Sequence, residues 1–93
     1  MPQNSRAGRI EATLRAAFQP VEFEIVDDSA RHAGHAGAAP GGETHYTLRM
    51  VAAAFSGQSR VARSRAVYAL LDDEFRGGLH ALAMTLLAPD DAL

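Results

Sequence analysis

The chain has 93 residues, 47% of them hydrophobic and 22% charged, which predicts one domain hiding about two-thirds of its unfolded surface around a modest core, with no room for a second. It has no cysteine, which excludes disulfides and any thiolate metal site of its own. A formal net charge of −2 argues against bulk phosphate binding as the main role and leaves local basic patches open, every basic residue being arginine.

The first five residues are polar and no stretch approaches the ~20 apolar residues of a membrane span. The expectation is a single cytoplasmic domain over 1–93, a monomer or weak dimer. Residues 1–5 are a flexible start, 28–42 a long loop and 89–93 a tail.

Asn4 or Ser5 caps a predicted helix running to about Phe18, with Ile10, Leu14, Ala17 and Phe18 forming one apolar stripe. Pro20 stops it. Val21-Glu22-Phe23-Glu24-Ile25-Val26 then alternates with period two, which predicts a strand with Val21, Phe23 and Ile25 inward and the glutamates in water.

From Asp27 to Gly42 the chain turns to Asp, Ser, Gly, Ala and Pro around His32 and His35. Hairpins close with two to five residues, so a connection of about fifteen is mobile or functional. His45 to Ala52 reads as a second strand, with Tyr46, Leu48 and Met50 inward and His45, Thr47 and Arg49 outward. Thr47 and Arg49 then stand across from Glu22 and Glu24, a pairing worth ~0.2 to 1 kcal/mol.

After a turn over Phe55 to Ser59, Ser59 caps a helical region reaching about Phe75. Its apolar positions (Val61, Val67, Tyr68, Leu70, Leu71, Phe75) are thin between Ala62 and Ala66, which predicts a short helical turn, a bend and then a longer helix. Gly77-Gly78 closes that helix, and the apolar run ending at Leu87 reads as a buried strand. The resulting fold class is α+β. A strand returning through helices to a parallel neighbour gives a mixed three-stranded sheet with helices on one face. Strand parity then sends His80 toward the helices with Leu82, Met84 and Leu86.

Few residues carry chemistry. Arg60, Arg63 and Arg65 crowd a helix start, where the dipole disfavours cations by a few tenths of a kcal/mol each. They are either a solvated face offset by Asp72, Asp73 and Glu74, or a contact for phosphate or an acidic partner. His32 and His35 are two imidazoles in one loop, a weak signal for zinc without thiolate, and His45 points away. His80 is either a satisfied rim histidine or a ligand. His80 with a loop histidine would make an incomplete nitrogen pair of the kind that replaces thiolate on one iron of a [2Fe-2S] cluster. Ser29, Ser56, Ser59 and Ser64 sit in no nucleophile motif and no phosphate-cradling glycine loop follows a strand, so catalysis is not expected.

Taken together, Val26-Asp27-Asp28-Ser29, His32 in a glycine-rich loop, Gly42-Glu43-Thr44-His45-Tyr46, Phe55-Ser56-Gly57, Arg63 to Leu71 and Leu79-His80-Ala81-Leu82-Ala83 resemble the BolA family from Arg9 to Pro89. The resemblance implies a type II KH-like fold in the order α-β-β-α-α-β. It also implies a monothiol glutaredoxin partner and a shared [2Fe-2S] cluster in iron-sulfur trafficking or iron homeostasis.

On this sequence the implied ligands are His80 and, from the loop, His32 or its competitor His35. The partner would supply cysteine and glutathione. The family's frequent Arg-His-Arg is Arg63-Ser64-Arg65 here, which keeps the charge and removes an imidazole. Some bacterial members are transcription regulators, so DNA contact through Arg60, Arg63 and Arg65 is the second expectation. Against it, the nucleic-acid-binding Gly-x-x-Gly loop is replaced by Gly57-Gln58-Ser59-Arg60.

Overall fold

The computed structural model describes residues 5–29 and 43–92. Helix α1 (Arg6–Phe18) starts where the Ser5 hydroxyl accepts from the Gly8 N–H at 3.0 Å, and it ends at Gln19 in the left-handed conformation, whose N–H returns to the Arg15 carbonyl. Ile10 and Leu14 are fully buried, with Ala7 and Phe18 packed beside them. Ala17, expected on the apolar stripe, is exposed: it lies at the stripe's edge in the last turn.

Strand β1 (Glu22–Asp27) pairs antiparallel with β2 (His45–Val51), and β2 pairs parallel with β3 (Ala81–Leu87), in the order β1-β2-β3. The register lines Phe23 up with Met50 and Leu86, and Ile25 with Leu48 and Met84, so the even-numbered side chains of β2 and β3 form the face on which the helices pack. Each fully buried Leu, Ile or Met there stabilises the fold by about 1.5–3 kcal/mol. The expected alternation fails at Val21, which is 70% exposed because it precedes the first paired residue of an edge strand. Arg49 stands opposite Glu24 but bonds diagonally to Glu22 at 2.6 Å, and Thr47, opposite Val26, donates to Asp28 instead.

A 3-10 turn (Ala53–Phe55) buries Phe55 against Phe18 and leads to helices α2 (Arg60–Leu70) and α3 (Asp72–Arg76). Ser59 caps α2 through the Ala62 N–H, as its position predicts. The expected order of a short turn followed by a longer helix is reversed. Thin apolar spacing over 62–66 is no break: α2 buries only Val67 and leaves Val61, Tyr68 and Leu70 exposed. The break falls at the buried Leu71, whose backbone takes φ −107° and ψ 14°, and Asp72, Asp73 and Glu74 then start a new helix where the dipole favours them.

Helix α2 also guards the free edge of β3. The Arg63 Nη1 donates to the Leu86 carbonyl at 3.0 Å and the Tyr68 hydroxyl to the Leu82 carbonyl at 3.5 Å, which blunts an edge otherwise open to strand pairing. Among the described residues no helix is long and apolar enough to cross a membrane.

Candidate functional site

His80 sits just ahead of β3, and what precedes it fixes where it emerges. Gly78 has φ +126°, which strains any side chain, and a Cβ there would lie 3.3 Å from the Arg6 Nη2, which would have to give way. The Leu79 N–H returns to the Glu74 carbonyl at 2.9 Å, and Leu79 is buried. Arg6 clamps the same turn: its Nη2 donates to the Gly77 carbonyl, its Nη1 to the Glu43 carbonyl and its Nε to Glu74. Arg9 bonds both oxygens of Glu74. Hydrogen bonds from Arg9, and behind them Arg6, outweigh burial and hold the Glu74 carboxyl below the usual glutamate range.

Parity predicts an inward His80, yet the residue is exposed. The reason is a contact with a distant segment: the His80 and Ala81 N–H groups both donate to the Thr44 carbonyl, at 2.8 and 3.0 Å. Two residues of one strand therefore meet one of its neighbour, as at a bulge, and the alternation slips by one step. His80 consequently lies beside His45, ring centroids 5.2 Å apart and tilted at 49°.

His45, expected to point outward into water, is only 6% exposed. It belongs to a buried polar cluster that position and spacing alone did not reveal. Asp27 accepts the Ser29 N–H at 2.8 Å, the turn its Asp-x-Ser spacing encodes, and the Glu43 N–H at 3.1 Å. The Ser29 Oγ accepts the N–H groups of Thr44 and His45, at 2.9 and 3.1 Å, and the Thr44 Oγ1 lies 2.9 Å from the His45 Nδ1. Burial pushes the Asp27 carboxyl up, but hydrogen bonds from the side chain and backbone of Ser29 and the backbone of Glu43 prevail and hold it below the usual aspartate value. Glu43 takes φ +65°, a position held by these contacts on both sides.

The three arginines occupy a different place. Arg60 and Arg63 line a cleft of about 280 Å³ with Ser64 and Met84 to Leu87, at the far end of β3. Six residue steps of extended chain separate His80 from Leu86, about 20 Å. Arg63 is not a free cation: its side chain is 11% exposed, and it donates to the Gln58 and Leu86 carbonyls and to Asp91 at 2.7 Å. Arg60 and Arg65 are exposed. Arg65 shares a helix face with Val61 and Tyr68, two of the apolar positions of this helical region that stay exposed.

His32 and His35 lie outside the described residues. Among the described residues no three His, Cys, Asp or Glu side chains converge to hold a metal. One accessible imidazole without a thiolate fits a cluster only as part of a shared site whose other ligands come from elsewhere.

The model of the family described as BolA-like protein matches residues 14–91. The chain is 47% identical over 89 residues to SufE-like protein 1, chloroplastic/mitochondrial, of Arabidopsis thaliana, covering 91% of this chain and 24% of that protein. It thus spans about a quarter of that relative's length. It is 43% identical over 76 residues to the DNA-binding transcriptional regulator BolA of Escherichia coli, covering 82% of this chain and 69% of that one. Among solved structures, the BolA domain of SufE1 from Arabidopsis thaliana superposes with a TM-score of 0.84 at 46% identity, over 92% of this chain and 94% of that one.

Proposed function

The chain belongs to the BolA-like family, and from that premise we propose that it is an adaptor binding a monothiol glutaredoxin and lending imidazole nitrogen to a bridging [2Fe-2S] cluster in iron-sulfur trafficking or iron homeostasis. The observation that supports this reading is the exposed His80, anchored through its own N–H to the Thr44 carbonyl just ahead of β2 in a chain that contains no thiol. His80 offers one nitrogen, His32 or His35 a second, and the partner's cysteine with bound glutathione the sulfur. When bound, the cluster supplies electron-transfer and iron-delivery chemistry. This chain's own residues present the ligand and hold its backbone still.

The test is reconstitution with a monothiol glutaredoxin, iron, sulfide and glutathione, followed by visible absorption and circular dichroism. The mixed complex is expected to give a spectrum distinct from that of glutaredoxin alone, and His80→Ala to abolish the difference. A mixed spectrum that persists unchanged in His80→Ala refutes the ligand role.

A second reading, DNA-binding regulation, is favoured by the likeness to the Escherichia coli regulator and by the exposure of Arg60 and Arg65. It predicts an affinity that falls with salt in proportion to the phosphates contacted and drops in Arg65→Ala. Because Arg63 is bonded internally, its substitution reports on folding before it reports on DNA. Negligible affinity at low salt ends this reading. Arg60 lies at the far end of β3 from His80, so Arg60→Ala and His80→Ala probe the two readings separately.

A further inference from the structure

Resting on His80 as a cluster ligand, we propose that Ser29 is the positioning residue for that ligand, its hydroxyl acting through the peptide unit that joins Thr44 to His45. A trans peptide is a rigid plane whose C=O and N–H point in opposite directions. On one side of this plane the His45 N–H donates to the Ser29 Oγ at 3.1 Å. On the other side the Thr44 carbonyl accepts the N–H groups of His80 and Ala81, at 2.8 and 3.0 Å. Ser29 and His80 thus hold the same plane from its two edges, and a rotation at one edge moves the other.

Ser29 is the fixed edge. Its own N–H donates to the Asp27 carboxylate at 2.8 Å, and its hydroxyl proton goes to the same carboxylate, a bond that helps to hold Asp27 below the usual aspartate value. The other oxygen of Asp27 takes the Glu43 N–H at 3.1 Å. The Ser29 Oγ also accepts the Thr44 N–H at 2.9 Å, so it grips the peptide units on both sides of Thr44. Ser29, Thr44 and His45 are all buried, which keeps water from replacing the hydroxyl as acceptor. Two buried N–H groups deprived of that oxygen would turn toward new partners and carry the Thr44 carbonyl with them. That carbonyl makes the bulge that sends His80 to the surface, so the direction of the exposed imidazole depends on a hydroxyl that never touches it.

Amide hydrogen exchange followed by NMR tests the link in the free protein, without any cluster. In Ser29→Ala the His80 and Ala81 amides are expected to exchange about tenfold faster relative to the Ala52 amide, which donates to the Leu87 carbonyl at the other end of β3. Equal acceleration of all three amides means a loss of global stability only and overturns the link. Thr44→Val removes the Thr44 hydroxyl but leaves the peptide unit whole, and is expected to keep the wild-type ratio; a change as large as in Ser29→Ala overturns the route through the peptide. In the reconstituted glutaredoxin complex, Ser29→Ala is expected to shift the circular dichroism that depends on His80, and Ser29→Thr, which keeps the hydroxyl, to retain it. An unshifted spectrum in Ser29→Ala refutes positioning, as does its loss in a Ser29→Thr protein whose Ala52 amide stays protected. Ser29→Ala is expected to add nothing in a His80→Ala background; a further shift there places its effect elsewhere and overturns the proposal. If His80→Ala alone changes nothing, the parent reading fails, while the exchange ratios in the free protein still decide whether Ser29 holds the His80 backbone.

Discussion

Glu74→Gln isolates the charge of the clamp beneath His80. Glu74 is 16% exposed and holds Arg6, itself 12% exposed, at 3.1 Å and Arg9, 44% exposed, at 2.8 Å. The Arg9 half is a partly solvated pair worth at most about 1 kcal/mol. The Arg6 half is nearly buried, but Arg6 keeps the Glu43 and Gly77 carbonyls after the substitution, so its charge is not orphaned and the cost stays well under the ~3–5 kcal/mol of a broken buried pair. Glutamine retains an acceptor oxygen, which leaves a net loss of about 2 kcal/mol and a fall in Tm of about 10 °C for a domain this size.

The pH dependence carries its own sign. The Glu74 carboxyl titrates below its ordinary value in the folded protein, so its contribution is complete above about pH 4.3 and is lost as pH falls through the lower folded value. Thermal unfolding of both proteins by circular dichroism, at neutral pH and in steps downward, should show a gap that closes on acidification. A change in Tm under about 2 °C at neutral pH, or a gap independent of pH, refutes the clamp.

Leu48→Ala, at a fully buried position of the central strand, should cost about 3 kcal/mol, measured by denaturant unfolding. Gly78→Ala combines a positive φ with a Cβ 3.3 Å from Arg6 and should cost about 1–3 kcal/mol, with the amide signals of Leu79 and His80 moving most in NMR spectra. His80→Ala removes an exposed side chain and should leave stability within about 0.5 kcal/mol of wild type, so a large loss in the same assay would mean that His80 is a packing residue. Arg63→Ala should lower Tm more than Asp91→Asn does, because Arg63 also serves the Gln58 and Leu86 carbonyls; equal effects would place its role in the ion pair alone.

The family relationship gives the chain a setting but leaves its residues to be argued individually. The Arabidopsis relative carries this domain within a much longer protein, and the Escherichia coli relative is named as a DNA-binding regulator. One scaffold thus occurs in more than one context. Here the exposed His80 stands at one end of β3 and the exposed Arg60 at the cleft beside the other, so the two readings rest on separate chemistry.

Period and punctuation carry the element order in the sequence. Ser59 announces its cap, Asn4 and Ser5 between them the first one, Pro20 its stop, and the alternation of Tyr46, Leu48 and Met50 the buried face of the central strand. All of these depend on neighbours a few residues away, which is what a sequence displays directly. The site does not work that way. His80 turns to the surface because two N–H groups share the carbonyl of Thr44, 36 and 37 positions earlier, and His45 is buried because Ser29 bonds it across a 16-residue separation. Arg63 looks like a free cation in sequence and becomes an edge guard only when β3 arrives beside it. Side-chain direction at the rim of a sheet follows hydrogen bonds between distant segments, and those bonds exist only once the sheet has formed.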